Sequence, residues 1–191
     1  MATITDAPTA LVTPRLNLRQ WRDEDLHPFA ALNGDAEVMR YFPATLSKTE
    51  SDTFAGSLRS LIAQRGWGLW AVEVTGVAPF IGYVGLHVPT AKLPCGPCVE
   101  IGWRLARAHW SKGYASEAAS AALSYAFEQL ELEEVVSFTA AINKRSAAVM
   151  RKIGMTNSGE NFRHPNVDDA SPLCEHLLYK IQRAQWLAPE R

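Results

Sequence analysis

The segment from Val99 to Leu130 constrains this chain most. Val99-Glu100-Ile101-Gly102-Trp103-Arg104-Leu105 alternates like a strand, and a helix follows from about Tyr114 to Leu130. That helix carries Ala118, Ala119, Ala122, Leu123, Ala126, Phe127 and Leu130. They occupy much of its circumference, as expected of a helix covered on both sides. A strand feeding such a helix predicts a layered sheet-and-helix domain.

The flanking sequence fits that architecture. Leu11-Val12-Thr13 and Leu16-Asn17-Leu18-Arg19 predict one alternating first strand after a frayed lead-in over residues 1–10. Asp23-Glu24-Asp25 places acids at the start of a helix bearing Leu26, Phe29, Ala30 and Leu32, where the helix dipole favours them. Ser47-Lys48-Thr49-Glu50 has the capping-box form before Phe54, Leu58, Leu61 and Ile62. Gly68–Val74 and Phe80–Leu86, separated by Thr75-Gly76, read as a hairpin. Val135–Ala140 is a further strand, Ser146–Ile153 a short helix stopped by Gly154, and two strands close the chain near 155–162 and 173–181. The expectation is one domain over 1–191, α/β (α+β), on a mostly antiparallel sheet.

Composition removes several classes of function. A chain of 191 residues with net charge -1 lacks the basic excess of a general nucleic-acid binder. No apolar run approaches the ~18 residues of a membrane span. Three cysteines are an odd count in a chain long enough to fold without disulfides, so a cytoplasmic protein is expected. Cys95-Gly96-Pro97-Cys98 spells a thioredoxin-type tetrapeptide, but Pro94 precedes it and a strand pattern follows. The redox motif needs a helix starting at its first cysteine, so a chance loop sequence is the better account. Cys174 is the remaining cysteine and makes no second zinc-type pair.

The most informative loop is Trp110-Ser111-Lys112-Gly113-Tyr114-Ala115-Ser116, between that strand and the long helix. The first turn of a helix presents unpaired N–H groups to an anion. Small residues allow a diphosphate close approach, and Lys112 adds a point charge. Taken alone, such a junction is more often structural.

Five ordered blocks give the loop its meaning: Val99–Leu105, His109–Ala118, Tyr125–Glu128, Asn143–Ser146 and Val149–Met155. In order and spacing they resemble the GCN5-related N-acetyltransferases (GNAT), closest to the ribosomal-protein N-terminal acetyltransferase-like (RimJ/RimL-like) branch. Thr13–Arg19 and the strands from Trp67 to Leu86 fit as well. The resemblance implies a GNAT fold of about six or seven strands, with splayed central strands and helices on both faces. It implies acetyl-CoA as co-substrate, with no metal. The implied contacts are Ile101, Trp103 and Leu105 on the strand and Trp110, Ser111, Lys112, Gly113, Tyr114, Ala115 and Ser116 in the loop. Asn143, Ser146 and Met150 add contacts from the next helix. Ser111 departs from the pattern, since glycine is commoner there.

The implied reaction is direct acetyl transfer to a primary amine, on a protein N-terminus or a small molecule. Such amines are mainly protonated at neutral pH, so a base or water relay is needed. Alternation puts Glu100, Gly102 and Arg104 on one strand face, and burial would raise the Glu100 carboxyl towards a useful range. A surface ion pair is the competing account of Glu100. The RimL-like pattern implies Ser146, three after Asn143, as proton donor, because Met150 occupies the position where many relatives carry an acidic tyrosine. Helix capping is the competing account of Asn143 and Ser146. His164 and His176 are further candidate bases, and each is otherwise a structural residue. Trp21, Phe42 and Trp67 are candidate acceptor-pocket residues. A non-catalytic CoA-binding module is the rival reading, a homodimer is compatible with the resemblance, and the acceptor itself is not specified.

Overall fold

A computed structural model describes residues 10–188, so the expected lead-in lies outside it except for Ala10. In chain order the elements are β1 (Leu11–Val12), β2 (Leu16–Arg19), α1 (Leu26–Gly34), α2 (Lys48–Arg65), β3 (Leu69–Val74) and β4 (Ala78–His87). Next come β5 (Glu100–Leu105), α3 (Tyr114–Glu128), β6 (Glu134–Ala140) and α4 (Lys144–Lys152). The chain closes with β7 (Thr156–Asn157), β8 (Phe162–Arg163), β9 (Glu175–Gln182) and α5 (Arg183–Trp186).

The strands form one sheet in the order β1-β2-β3-β4-β5-β6-β9-β7, with β8 also paired to β9. All neighbours are antiparallel except β5 and β6. That parallel pair shares a single register position, Glu100 opposite Val136. Beyond it the two strands splay, as the resemblance implied.

Two expectations about strands need correction. The expected first strand is broken at Thr13–Arg15 into β1 and β2, which fold back on each other with Leu11 opposite Leu18. Thr13 accepts the Leu16 N–H at 2.9 Å and closes the turn. The strand expected over 155–162 is instead two dipeptide strands, both laid against β9. The chain between them turns back at Gly159, where φ is +76°.

Helices cover both faces. On one face, α3 packs over β2, β4 and β5, burying Ala118, Ala119, Ala122, Leu123, Ala126 and Phe127 completely. On the other, α1 and α2 enclose an aromatic cluster of Trp21, Phe29, Phe54, Phe80 and Tyr83. The Ser47–Glu50 capping box forms as expected, with the Ser47 N–H donating to the Glu50 carboxylate at 2.8 Å. The short helix begins two residues earlier than expected, because Asn143 caps it by accepting the Ser146 N–H at 3.2 Å. Among the described residues, no helix is long and apolar enough to cross a membrane.

Candidate active site

Where β5 and β6 part, a cleft of roughly 930 Å³ opens. Its lining runs from the α3 loop, along β5 and β6, to the residues between α1 and α2. Every expected cofactor contact except Lys112 borders it. Lys112 lines an adjoining depression of roughly 500 Å³ with Arg15, Ser116, Glu117 and Lys152.

The loop geometry follows from its residues. Gly113 caps α3 at φ +83°, a conformation that favours glycine, and Ser111 sits at +59°. That positive φ is why glycine suits position 111; serine bears strain there. The first α-helical bond runs from Glu117 N–H to Gly113 carbonyl at 3.0 Å. The N–H groups of Tyr114, Ala115 and Ser116 therefore precede the helix ladder and stay free for an anion. Trp110 is anchored by its indole N–H to the Leu105 carbonyl at 2.7 Å, and the Arg145 guanidinium lies 4.6 Å over its ring. Together with Lys112 and Lys152, this end of the cleft suits the charge and backbone demands of a diphosphate.

The β5 residues divide by face. Ile101 and Leu105 are buried in the core that includes α3, whereas Trp103 is half-buried. Glu100, Gly102 and Arg104 stand opposite His87, Gly85 and Tyr83 on the α1–α2 side. No atom lies within 4 Å of where a Gly102 Cβ would sit, so the sheet face is open there. Ser137 donates its hydroxyl to the Ile101 carbonyl at 2.9 Å, tying the strands just before they diverge.

Glu100 is buried, not on the surface, and its carboxylate lies 3.3 Å from His87 Nε2. Burial raises the Glu100 carboxyl well above its usual range. Burial, reinforced by Arg65, pushes the His87 imidazole down to about 4. With its imidazole at about 4, His87 is uncharged near neutral pH. His87 went unnoticed in the sequence because only the β4–β5 register brings it to Glu100.

Asn143 donates to both Thr139 Oγ1 at 2.9 Å and Ser146 Oγ at 3.1 Å. Asn143 is thus a cap, and it leaves the Ser146 O–H free to donate into the cleft. Met150 is buried beneath it. His164 and His176 lie 4.9 Å apart with tilted rings, beside Phe138 and Phe162 on the β9 side of the cleft. Burial lowers both imidazoles, keeping them neutral. Of the three aromatic candidates only Phe42 borders the cleft. Trp21 is sealed in the core, donating its indole N–H to the Leu69 carbonyl at 2.8 Å, and Trp67 stacks against Arg65. Cys95 and Cys98 sit in a turn with sulfurs 3.9 Å apart. Burial, with Cys95 alongside, pushes the Cys98 thiol up to about 12, the reverse of a reactive redox cysteine.

Residues 15–156 match the family profile described as Acetyltransferase (GNAT) domain. The chain is 32% identical to the FsC-acetyl coenzyme A-N(2)-transacetylase of Aspergillus fumigatus, over 99% of this chain and 82% of that protein. The crystal structure of a GNAT-family acetyltransferase from Bacillus anthracis superimposes with a TM-score of 0.76 at 26% identity, covering 92% of this chain and 99% of that one. RimL, a ribosomal L7/L12 alpha-N-protein acetyltransferase solved with coenzyme A, shares the fold at a TM-score of 0.72 and 16% identity, over 91% and 98% of the two chains. With the splayed sheet and the glycine-capped anion loop, these similarities place the chain in the GNAT family of acetyltransferases.

Proposed function

We propose that this protein transfers an acetyl group from acetyl-CoA to a primary amine by direct attack, with Glu100 as the base and Ser146 as the proton donor. The observation that carries the reading is the buried Glu100 carboxyl at the point where β5 and β6 diverge. The bound co-substrate would supply an activated acetyl thioester. The chain's part is to hold it, exclude water and move two protons.

The free N–H groups at the start of α3 and the cations Lys112 and Lys152 fit the phosphates. The unpaired edge of β5 beyond Glu100 fits the amide-bearing arm as an added strand. On the α1–α2 side, the acceptor amine enters over Gly102 and gives its proton to ionised Glu100, with His87 holding the carboxylate in place. The N–C bond forms as the C–S bond breaks; the Ser146 hydroxyl protonates the departing sulfur and regains its proton, through water, from the acylated nitrogen, which becomes the neutral amide. A proton-accepting carboxyl with a raised pKa is matched to this task near neutral pH.

The test is calorimetric titration with acetyl-CoA, followed by thiol release with a panel of amines. One-site binding with amine-dependent thiol release supports the reading. Binding without release from any amine favours a CoA-binding module, and no binding removes the loop as a cofactor site.

A further inference from the structure

The acceptor side of the cleft holds a cation that the fold does not neutralise. Arg104 is 8% exposed and borders the cleft. Its one hydrogen bond among the described residues runs from Nη1 to the Asn33 side-chain oxygen at 2.6 Å, and its Nε is buried without a partner. The guanidinium lies 4.0 Å over the Phe42 ring and 5.4 Å from the Tyr83 ring. The contrast with Arg19 is direct. That residue is equally buried, yet it meets Asp25 at 2.8 Å and Glu73 at 3.0 Å. A buried guanidinium without a carboxylate is costly, and cation–π contact repays only part of the cost.

The surroundings of Arg104 supply no counter-charge. The carboxylates bordering the cleft are Glu37 and Glu100. Glu37 pairs with Arg40 at 3.6 Å and Glu100 with His87 at 3.3 Å, and neither carboxylate comes within ion-pair distance of Arg104. Arg65 adds a second cation to the same side. Such a cleft repels a polyamine, which needs fixed carboxylates to seat its other ammonium groups.

The position of Arg104 is also rigidly set. Asn33 is completely buried and donates its amide to Ser51 of α2 at 2.8 Å, so it holds Arg104 from the junction of α1 and α2. With aromatic rings beside the guanidinium and Asn33 on Nη1, the unused N–H groups lie in the guanidinium plane, the direction from which a carboxylate pairs with arginine. Arg104 lies four positions beyond Glu100 on the strand, roughly 13 Å along it, with the open face of Gly102 between.

We propose that the acceptor is an amine bearing its own carboxylate, an amino acid or a small derivative of one, and that Arg104 binds that carboxylate while the amine faces Glu100. This inference rests on the acetyl-transfer reading above, and its test separates the two.

Three matched pairs serve as probes: phenylalanine and phenethylamine, leucine and isopentylamine, 4-aminobutyrate and butylamine. Spermine is the polycation control. Binding to the CoA-loaded protein is measured by calorimetry and thiol release with acetyl-CoA. For at least one pair, the expected result is binding and kcat/KM at least ~10-fold in favour of the carboxylate member. Arg104→Gln should shrink that preference to about twofold or less while CoA binding is unchanged, and Arg104→Lys should retain part of it. Equal treatment of all pair members by the unaltered protein, or preference for spermine, overturns the inference. That comparison needs no variant, so misfolding of Arg104→Gln leaves the decision intact. Preferential carboxylate binding without thiol release would uphold the subsite and reject the acetyl-transfer reading.

Discussion

Arg15 and Glu117, 102 positions apart in sequence, meet at 2.6 Å across the base of the loop before α3. Glu117 also accepts the Thr13 hydroxyl at 2.6 Å and the Arg15 backbone N–H at 3.1 Å. Burial alone would raise its carboxyl, but these donors together lower it. Arg15 further donates to the Lys112 carbonyl at 3.0 Å, so the turn between β1 and β2 braces the loop before α3. Glu117→Ala should weaken acetyl-CoA binding several-fold and cost about 1–2 kcal/mol of stability, leaving kcat little changed. Calorimetry with acetyl-CoA and thermal unfolding check this; unchanged affinity would remove the brace as a determinant of the loop.

Glu100→Gln should lower kcat/KM by about 10²-fold or more and abolish the acidic limb of the pH profile. In the unaltered protein that limb should lie well above the ordinary carboxylate range, because burial raises Glu100. The sign for stability is equally definite. A carboxyl raised by folding favours the native state below its unfolded pKa, and that benefit is lost as pH climbs through the folded value. The variant should therefore gain stability relative to the unaltered protein as pH rises above the ordinary carboxylate range, as read by Tm at each pH. A parallel pH dependence in both proteins would contradict the assignment.

Ser146→Ala should reduce kcat by about tenfold or more without changing acetyl-CoA affinity. Its helix keeps the Asn143 cap, so the loss of stability should stay below about 1 kcal/mol. Turnover at the unaltered rate would leave Ser146 with a structural role alone.

Three glycines of the central strands should respond in opposite ways. A Cβ at Gly82 would meet the Arg104 carbonyl at 2.1 Å, and one at Gly85 the Gly68 carbonyl at 2.1 Å, both with positive φ. Alanine at either should cost roughly 3 kcal/mol or more. Gly102→Ala meets nothing within 4 Å and should leave Tm nearly unchanged while raising KM for the acceptor. Unaltered acceptor KM would place the amine elsewhere in the cleft.

How much of this was legible in the sequence depended on whether a signal was local. Helix starts were readable at Ser47 because a capping box lies within four residues. The alternation of β5 correctly set Glu100, Gly102 and Arg104 on one face, since strand period two follows from backbone geometry. The break at Thr13–Arg15 was missed because the apolar residues on either side of it alternate alike, and the turn is closed by Thr13–Leu16 hydrogen bonds that spacing does not reveal. His87 was missed for another reason: its meaning comes from a register between strands joined by a twelve-residue loop. Trp21 illustrates the converse, an aromatic whose pocket role was plausible by chain position until tertiary packing placed it in the core. Arg104 was recognised for its face but not for its solitude, because an absent partner cannot be read from spacing.

The single shared position between β5 and β6 has a mechanical consequence. Two half-sheets, β1–β5 and β6–β9, are joined like pages at a spine formed by Glu100, Val136 and the Ser137 hydroxyl. Each page offers an inward template edge, sheltered from neighbouring molecules and therefore harmless as an aggregation surface. If the co-substrate lies between the pages as proposed, it would serve as the stitching that the polypeptide omits, and the loaded protein should unfold as a more tightly bound volume than the empty one.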